Sequence, residues 1–219
     1  MDKQITNKFY PFPSTKNSFV FSFEGGDGTG KSTQIQLASE YLEKKGFDVL
    51  LLREPGGTEL GEKIRTLILK SPIKRSAHSN LLLFLASRSQ LITEKILPFI
   101  QEPGRVVLLD RYIDSSLAYQ GVGEDLGIET VLSMHAHPPL HFLPHKTFLL
   151  HLDAKQAILR RKGRQEELDQ YEIKGREFAE KTLKGYFECQ KLFSERIKTI
   201  EADKTPEEIF QKIIPHLPS

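Results

Sequence analysis

The chain has 219 residues and a mass of 25.0 kDa, with 38% hydrophobic and 27% charged residues, a composition typical of a globular protein and not of a disordered or fibrous one. Its 31 Lys and Arg residues nearly balance 29 Asp and Glu residues, for a formal charge of +2, so we expect neither nucleic acid nor an anionic membrane as the main partner. The single cysteine excludes an internal disulfide and suits a reducing cytoplasm.

The first 17 residues contain two prolines, several polar residues and no hydrophobic period. They predict an N-terminal extension that is flexible or lies across the surface. They lack the apolar run of a signal peptide, and no stretch elsewhere reaches the ~18 apolar residues of a membrane span. We therefore expect a single domain over residues 18–219, located in the cytoplasm.

Five short apolar runs have the length and composition of buried strands. They cover residues 18–24, 48–54, 105–110, 146–153 and 197–203. Strands that alternate with crossover helices predict an α/β fold with a doubly wound, five-stranded parallel sheet surrounded by helices. In such a sheet, ligands bind beyond the carboxyl ends of the strands, at the point where the strand order reverses.

The intervening segments have helical periodicity. Residues 31–46 end at Gly46, a residue suited to a helix C-terminus. Residues 58–71 stop before Pro72, and residues 80–94 form an apolar helix that Pro98 bends or ends. Residues 154–194 are rich in charge, with pairs four residues apart such as Glu177/Lys181 and Glu180/Lys184, and predict exposed helices.

A glycine-rich segment follows the first strand, matches the pattern GxxxxGK[ST] and opens directly into the first helix. Its glycines allow the backbone N–H groups to surround a polyphosphate, and the helix N-terminus adds partial positive charge. Lys31 is expected on the β- and γ-phosphates and Ser32 on Mg²⁺. The predicted ATP-binding residues are Gly25, Gly26, Asp27, Gly28, Thr29, Gly30, Lys31, Ser32 and Thr33.

Asp110 ends the third strand, where a carboxylate holds Mg²⁺ directly or through water, with a simple loop residue as the alternative. Four histidines at positions 135, 137, 141 and 145 crowd a proline-containing loop without the spacing or acidic partners of a metal site, so we expect none there. No guanine-reading NKxD motif is present, and the length leaves little room for a motor ATPase. A small-molecule kinase remains.

Further motifs make the chain resemble the thymidylate kinase family. REPGGT at residues 53–58, FLASR at 84–88, DRY at 110–112 and AYQG at 118–121 occur in this order, and the resemblance extends from about residue 19 to 200. It implies a P-loop kinase with a short lid, ATP as donor, dTMP as acceptor, dTDP as product for dTTP synthesis, and a homodimer. A kinase for another nucleoside monophosphate is the alternative.

The resemblance also implies the acceptor site. Phe84 would stack on thymine and Arg88 would bond its edge, although their i, i+4 spacing alone leaves core packing and a solvated face open. Arg53 and Arg111 lie at the carboxyl ends of predicted strands, and their guanidinium groups suit the acceptor phosphate. The implied dTMP-binding residues are Asp27, Arg53, Phe84, Arg88, Arg111, Ser116, Tyr119, Gln120 and Tyr171.

The P-loop contains no arginine, whereas residues 159–164 read LRRKGR. The chain therefore resembles the family members with arginines in a lid, here at about residues 159–172. This resemblance implies Arg161 and Arg164 as catalytic residues beside Lys31 and Arg111, and Asp169 near the metal with Ser32 and Asp110. For any one lid arginine, a solvated basic helix is the alternative.

Overall fold

Residues 3–13, 15, 17–153, 156 and 170–219 are described by a computed structural model of the chain. The five predicted strands all form, and their bounds differ from the predictions by at most two residues at either end. They are β2 (Phe19–Glu24), β3 (Asp48–Arg53), β4 (Arg105–Asp110), β6 (Lys146–His151) and β7 (Ile197–Glu201). The sheet is parallel throughout, in the order β3-β4-β2-β6-β7, which confirms the predicted fold class.

Helices cover both faces of this sheet. The chain leaves β2 toward β3 and β4 on one side and then crosses to β6 and β7 on the other, so the strand order reverses between β2 and β4. Two hydrophobic cores lie on opposite faces of the sheet, around residues such as Val107 and Leu109 on one face and Phe148 and Leu150 on the other. The helices are α1 (Lys3–Thr6), α2 (Lys31–Lys44), α3 (Glu59–Leu69), α4 (Ala77–Leu91), α5 (Leu97–Phe99), α6 (Ile113–Ser116), α7 (Ile128–His135), α8 (Gly175–Leu192) and α9 (Pro206–Ile213).

The long apolar helix departs from its prediction at both ends. It begins earlier, at Ala77, because the Ser76 side chain caps it by accepting from the Ser79 N–H at 3.1 Å. It ends at Leu91, three residues before the predicted end, and a π-helical turn, Ile92–Ile96, joins it to α5, which contains Pro98. A wider turn suits the position because proline has no N–H to donate to the carbonyl four residues earlier.

The described part of the N-terminal extension packs against the rest of the chain. A two-residue strand, β1 (Tyr10–Pro11), pairs in parallel with β5 (Phe142–Leu143). Phe9 and Phe12 are buried in the hydrophobic core that contains Val107 and Leu109. The Phe12 ring lies 5.8 Å from the Tyr112 ring. The extension is therefore packed, because its two phenylalanines bury apolar surface that composition alone did not place.

The charge-rich region is described only from residue 170 onward, apart from residue 156. α8 packs against a second π-helical segment, Leu117–Gly123, where a Cβ at Gly185 would lie 2.8 Å from the Ala118 Cα atom. Lys181 bonds Asp125 and Glu180 bonds Arg176, so the predicted pairs Glu177/Lys181 and Glu180/Lys184 do not form. No helix of the described residues combines the length and apolarity that a membrane crossing needs.

Candidate active site

One cleft, with a cavity volume of about 220 Å³, lies where the chain leaves β2, β3 and β4. Most of the residues predicted for the site line it. They are Asp27, Gly28, Gly30, Lys31, Ser32, Arg53, Phe84, Arg88, Asp110, Arg111, Ser116, Tyr119, Gln120 and Tyr171. Gly25, Gly26, Thr29 and Thr33 belong to the same loop and helix but are not among its lining residues, and Arg161, Arg164 and Asp169 lie outside the described residues.

The glycine-rich loop requires glycine at particular positions. Gly25 has φ +132°, and a Cβ there would lie 2.4 Å from the Leu150 carbonyl oxygen on the neighbouring strand. Gly30 adopts φ +93° as the N-cap of α2, a region that L side chains rarely occupy. The Thr29 hydroxyl fixes the turn by donating to the Gly26 carbonyl at 2.9 Å. The N-terminus of α2 therefore opens toward the cleft without side chains in the way.

Lys31 lies folded into this loop. Its Nζ donates to the carbonyls of Gly25 and Gly26, each at 3.0 Å, and is 3.8 Å from Asp27 Oδ1. Burial lowers the pKa of Lys31 to about 8, and the nearby charge of Arg111 acts in the same direction. An anion in the loop would stabilise the ammonium form, since opposite charge favours the charged state.

Arg111 occupies the end of β4 in a left-handed conformation, with φ +70°. Its guanidinium donates to Asp27 Oδ1 at 2.6 Å, to the Gly25 carbonyl at 3.1 Å and to the Tyr186 hydroxyl at 3.0 Å. The Tyr119 ring lies 5.2 Å from its Cζ atom. Non-glycine residues with positive φ concentrate at functional sites, where surrounding contacts hold them. These bonds hold Arg111 at the cleft.

Arg53 is the most exposed of the predicted arginines that the structure describes. Half of its side chain remains accessible, and its Nη2 donates to Glu62 Oε2 at 2.9 Å. The Gly57 N–H also donates to Glu62, and this bond, with the charge of Arg53, lowers the pKa of that carboxyl. Arg65 also lines the cleft, although no sequence motif pointed to it, and it donates to the Pro55 carbonyl at 2.8 Å.

Arg88 is buried at the bottom of the cleft. Its Nε donates to Glu54 Oε2 at 2.7 Å, its Nη1 donates to Ser116 Oγ at 3.0 Å, and the Tyr112 ring lies 5.0 Å from its Cζ atom. His135 contacts the same Nη1. Burial raises the pKa of Glu54 while the Arg88 charge opposes that rise, and burial with the Arg88 charge lowers the pKa of His135 to about 3.

Aromatic side chains form one wall of the cleft. The Tyr171 ring lies 6.1 Å from the Phe84 ring and 5.6 Å, edge to face, from the Tyr119 ring. Gln120 Nε2 donates to the Tyr171 hydroxyl at 3.0 Å. Rings with their faces turned to a cleft stack well on a planar, polarisable group such as a nucleobase.

The residues expected at a metal fit a hard divalent cation. Ser32, in the first turn of α2, is exposed, and Asp110 Oδ1 is buried without a hydrogen-bond partner in the described part of the chain. A buried carboxylate oxygen that accepts no hydrogen bond has its lone pairs free for an oxygen-preferring cation such as Mg²⁺.

Glu24 lies beneath the site at the end of β2. It accepts from the Tyr112 N–H at 2.7 Å, from the Ser115 hydroxyl at 2.6 Å and from the Tyr186 hydroxyl at 3.0 Å. Burial raises the pKa of Glu24 to about 7, and the charge of Asp114 adds to the rise. Glu54 lies in the motif REPGGT, but the motif alone gave it no role, and no local spacing pointed to Glu24 or His135. The contacts of these three residues join strand ends to distant helices.

Comparisons with known proteins show which family the chain is similar to. A family model described as "Thymidylate kinase" matches residues 23–213. The chain is 41% identical over 199 residues to thymidylate kinase of Thermoanaerobacter sp. (strain X514), covering 91% of this chain and 96% of that one. Identity to thymidylate kinase of Geobacillus sp. (strain WCH70) is 40% over 196 residues, or 89% and 93% of the two chains. The crystal structure of thymidylate kinase from Ehrlichia chaffeensis superposes with a TM-score of 0.69 at 27% identity, covering 91% and 98%.

The raised pKa of Glu24 predicts a pH-dependent stability difference between the protein and its Glu24→Gln variant. A carboxyl whose pKa rises from 4.5 to about 7 on folding binds more protons in the folded state over that interval. Its contribution is fully present below pH 4.5 and is lost as the pH rises through about 7. The wild type should therefore lose up to about 3 kcal/mol relative to the variant over this range.

Urea denaturation of both proteins at pH 4.5, 6 and 7.5 measures the difference. Glu59→Gln, which removes a carboxylate that is 86% exposed on α3, is the matched control. A difference between wild type and Glu24→Gln that stays constant across this range would contradict the assignment.

Proposed function

The chain belongs to the thymidylate kinase family, and from this premise we propose that it transfers the γ-phosphoryl group of ATP to the 5′-phosphate of dTMP, giving dTDP and ADP. One observation supports the proposal most strongly. A phosphate-binding loop with Lys31 and a pair of guanidinium groups from Arg53 and Arg111 line the same cleft, beside an aromatic wall. This arrangement suits two anionic substrates that meet end to end.

On the donor side, we assign the triphosphate to the glycine-rich loop and to Lys31. Phosphate oxygens would accept from the backbone N–H groups at the start of α2, and they would replace the Gly25 and Gly26 carbonyls as acceptors for the Lys31 ammonium. Ser32 and Asp110 would hold Mg²⁺. When bound, the ion would neutralise charge on the β- and γ-phosphate oxygens.

On the acceptor side, Arg53 and Arg111 bind the 5′-phosphate, Phe84 stacks on thymine and Arg88 donates to the edge of the base. Tyr119 lies beneath the deoxyribose and leaves no room for a 2′-hydroxyl. The Tyr171 contacts with Phe84, Tyr119 and Gln120 support this placement, because they build one continuous wall. The proposed acceptor set is completed by Asp27, Ser116, Gln120 and Tyr171.

The chemistry needs alignment more than a strong base. A phosphate monoester has a second pKa near 6, so at neutral pH the acceptor is already an anionic nucleophile. One of its oxygens forms a bond to the γ-phosphorus as the bond from that phosphorus to the β,γ-bridging oxygen breaks and the electron pair leaves with ADP. Lys31 offsets charge on the transferred group and Arg111 holds the nucleophile in line.

Residues 159–172 form the lid in this proposal, and residues 18–219 form the kinase domain with it. Arg161 and Arg164 would reach the equatorial oxygens of the phosphoryl group in transit, and Asp169 would approach the metal. Lid closure would exclude water and limit ATP hydrolysis. The basic run LRRKGR and the absence of an arginine from the P-loop support this assignment.

We also propose a homodimer in the cytoplasm. Large apolar side chains are exposed at Leu60 on α3, at Ile73 and at Leu82 on α4, with exposed fractions of 48%, 61% and 56%. α3 and α4 pack on each other, and in this proposal a second copy would cover the exposed side chains of these two helices and of the loop between them. The lone cysteine supports a reducing compartment, and recovery from a membrane or secreted fraction would contradict that location.

An acceptor panel tests the reaction and its substrate together. With saturating Mg-ATP, ADP release should be fastest with dTMP, and kcat/KM should fall by at least about tenfold for dGMP and for ribothymidine monophosphate, since the former does not match the base pocket and the latter adds a hydroxyl. Lys31→Met is the control, because it should abolish the ADP release that depends on the P-loop. Equal rates with a guanine nucleotide would favour the alternative monophosphate kinase, and ADP release without any acceptor would overturn the proposed transfer.

The lid assignment predicts a loss of turnover. Arg161→Ala and Arg164→Ala should lower kcat on the order of 10²-fold in at least one variant, with smaller changes in KM, because the charge they supply is needed mainly in the transition state. Arg176→Ala is the matched control, since that arginine is exposed and pairs with Glu180 on α8. Unchanged kcat in both lid variants would remove these arginines from the mechanism.

The dimer proposal predicts a sedimentation coefficient for about 50 kDa, twice the 25.0 kDa chain. Leu82→Glu should shift the protein to the monomer, because it places a charge in an apolar contact. Ile173→Glu changes a side chain that is 64% exposed and belongs to neither α3 nor α4, and it should leave the dimer intact. A monomeric wild type would exclude the proposal.

A further inference from the structure

The hydrogens of the Arg88 guanidinium are divided among three side chains. Nη1 is bonded to Ser116 Oγ at 3.0 Å and contacts His135 Nε2, so both of its hydrogens are used. Nε and Nη2 both lie against the same Glu54 oxygen. Nη2 carries two hydrogens, and at least one of them has no acceptor among the described residues. Arg88 lines the cleft, so this hydrogen is the donor available to a bound base.

The bonds of His135 fix its protonation state. A guanidinium has no acceptor atom, so His135 Nε2 must accept from Arg88 and cannot carry a proton. The proton is therefore on Nδ1, which donates to the Val131 carbonyl at 2.7 Å, one turn earlier in α7. The low pKa of His135 agrees with this neutral form. A neutral imidazole with one defined acceptor is held rigidly in the core, with no exposed surface.

We propose that His135 is a positioning residue for Arg88, which sets the orientation of the guanidinium toward the acceptor base and thereby helps determine which base the cleft takes. The proposal rests on the proposed function, in which Arg88 donates to the base edge. His135 is at the end of α7, a helix that packs on the segment Leu117–Gly123. It therefore links the orientation of Arg88 to the segment that carries Tyr119 and Gln120.

The other contacts of Arg88 do not fix its rotation by themselves. Glu54 contacts one edge of the guanidinium through a single oxygen, and the Tyr112 ring covers a face. Ser116 can rotate its hydroxyl and follow the guanidinium as it moves. The His135 nitrogen is the acceptor on a rigid ring, so its removal would free the guanidinium to turn and leave one Nη1 hydrogen buried without a partner.

Steady-state kinetics at saturating Mg-ATP test this role with His135→Leu, His135→Gln and His135→Asn. His135→Leu should raise KM for dTMP by at least about tenfold with kcat within about twofold. Without His135 the Arg88 guanidinium can turn, and the hydrogen bond that it donates to the bound base is lost. The ratio of kcat/KM for dTMP over dCMP should fall as well, since the two bases present an acceptor and a donor at position 4. His137→Leu, at an exposed position two residues later, is the matched control and should match the wild type.

The conservative variants separate positioning from folding. Glutamine can place an amide oxygen near the position of Nε2 and should restore KM to within about threefold of the wild type, whereas the shorter asparagine should not. A merely structural role would lower stability and the active fraction, and so kcat, and would leave KM and the base preference unchanged. That result would overturn the proposal, and the Asn and Gln pair decides it if His135→Leu does not fold.

A double-mutant cycle separates this inference from the proposed function. His135→Leu should have no further effect on KM in an Arg88→Met background, or in Arg88→Lys if the methionine variant does not fold. If Arg88→Met leaves KM unchanged, the proposed contact between Arg88 and the base is wrong. If Arg88→Met raises KM but His135→Leu does not, or if the two effects add independently, the positioning role of His135 is wrong. The proposed contact between Arg88 and the base then still stands.

Discussion

The constraint on which this site depends is the crowding of cations at one edge of a buried sheet. Lys31, Arg53, Arg88 and Arg111 line a single cleft, and unpaired charges at such distances and in partial burial would repel each other and lose hydration. Each is held by an acceptor instead: two loop carbonyls for Lys31, Glu62 for Arg53, Glu54 for Arg88 and Asp27 for Arg111. The fold can therefore hold these four cations at one cleft without leaving any of them unpaired.

The exposure of these cations follows the role proposed for each. The side chain of Arg53 is 51% exposed, that of Arg111 18% and that of Arg88 1%. An exposed guanidinium can leave its carboxylate for a mobile phosphate at little desolvation cost, because water already screens the pair. A fully buried one cannot move without leaving a charge unpaired, so Arg88 suits recognition of a base, where a fixed direction of donation matters more than reach.

The sequence predicts the parts of this site that depend on local pattern. The strands, the P-loop and the helix after it follow from apolar runs and glycine spacing, and the motifs shared with the family predict Phe84, Arg88 and Tyr119 within one cleft. Contacts between distant segments are not predictable in this way. His135 reaches Arg88 across 47 residues, Phe12 packs on Tyr112 from an extension without periodicity, and Lys181 selects Asp125 because α8 packs beside that loop. Each depends on tertiary packing that propensity does not encode.

Asp27 connects the two halves of the cleft. Its Oδ1 lies 2.6 Å from Arg111 Nη2 and 3.8 Å from Lys31 Nζ, so one carboxylate oxygen serves a cation of the proposed acceptor side and a cation of the proposed donor side. A phosphate that approaches either cation competes with the Asp27 carboxylate for that cation. When the contact of Asp27 with one cation changes, the electrostatic potential at the other cation changes too. Since coupling between two binding sites is reciprocal, each substrate would change the affinity for the other through this residue. In the proposed function, the P-loop acid would therefore couple the binding of the two substrates, because it is shared between Arg111 and Lys31.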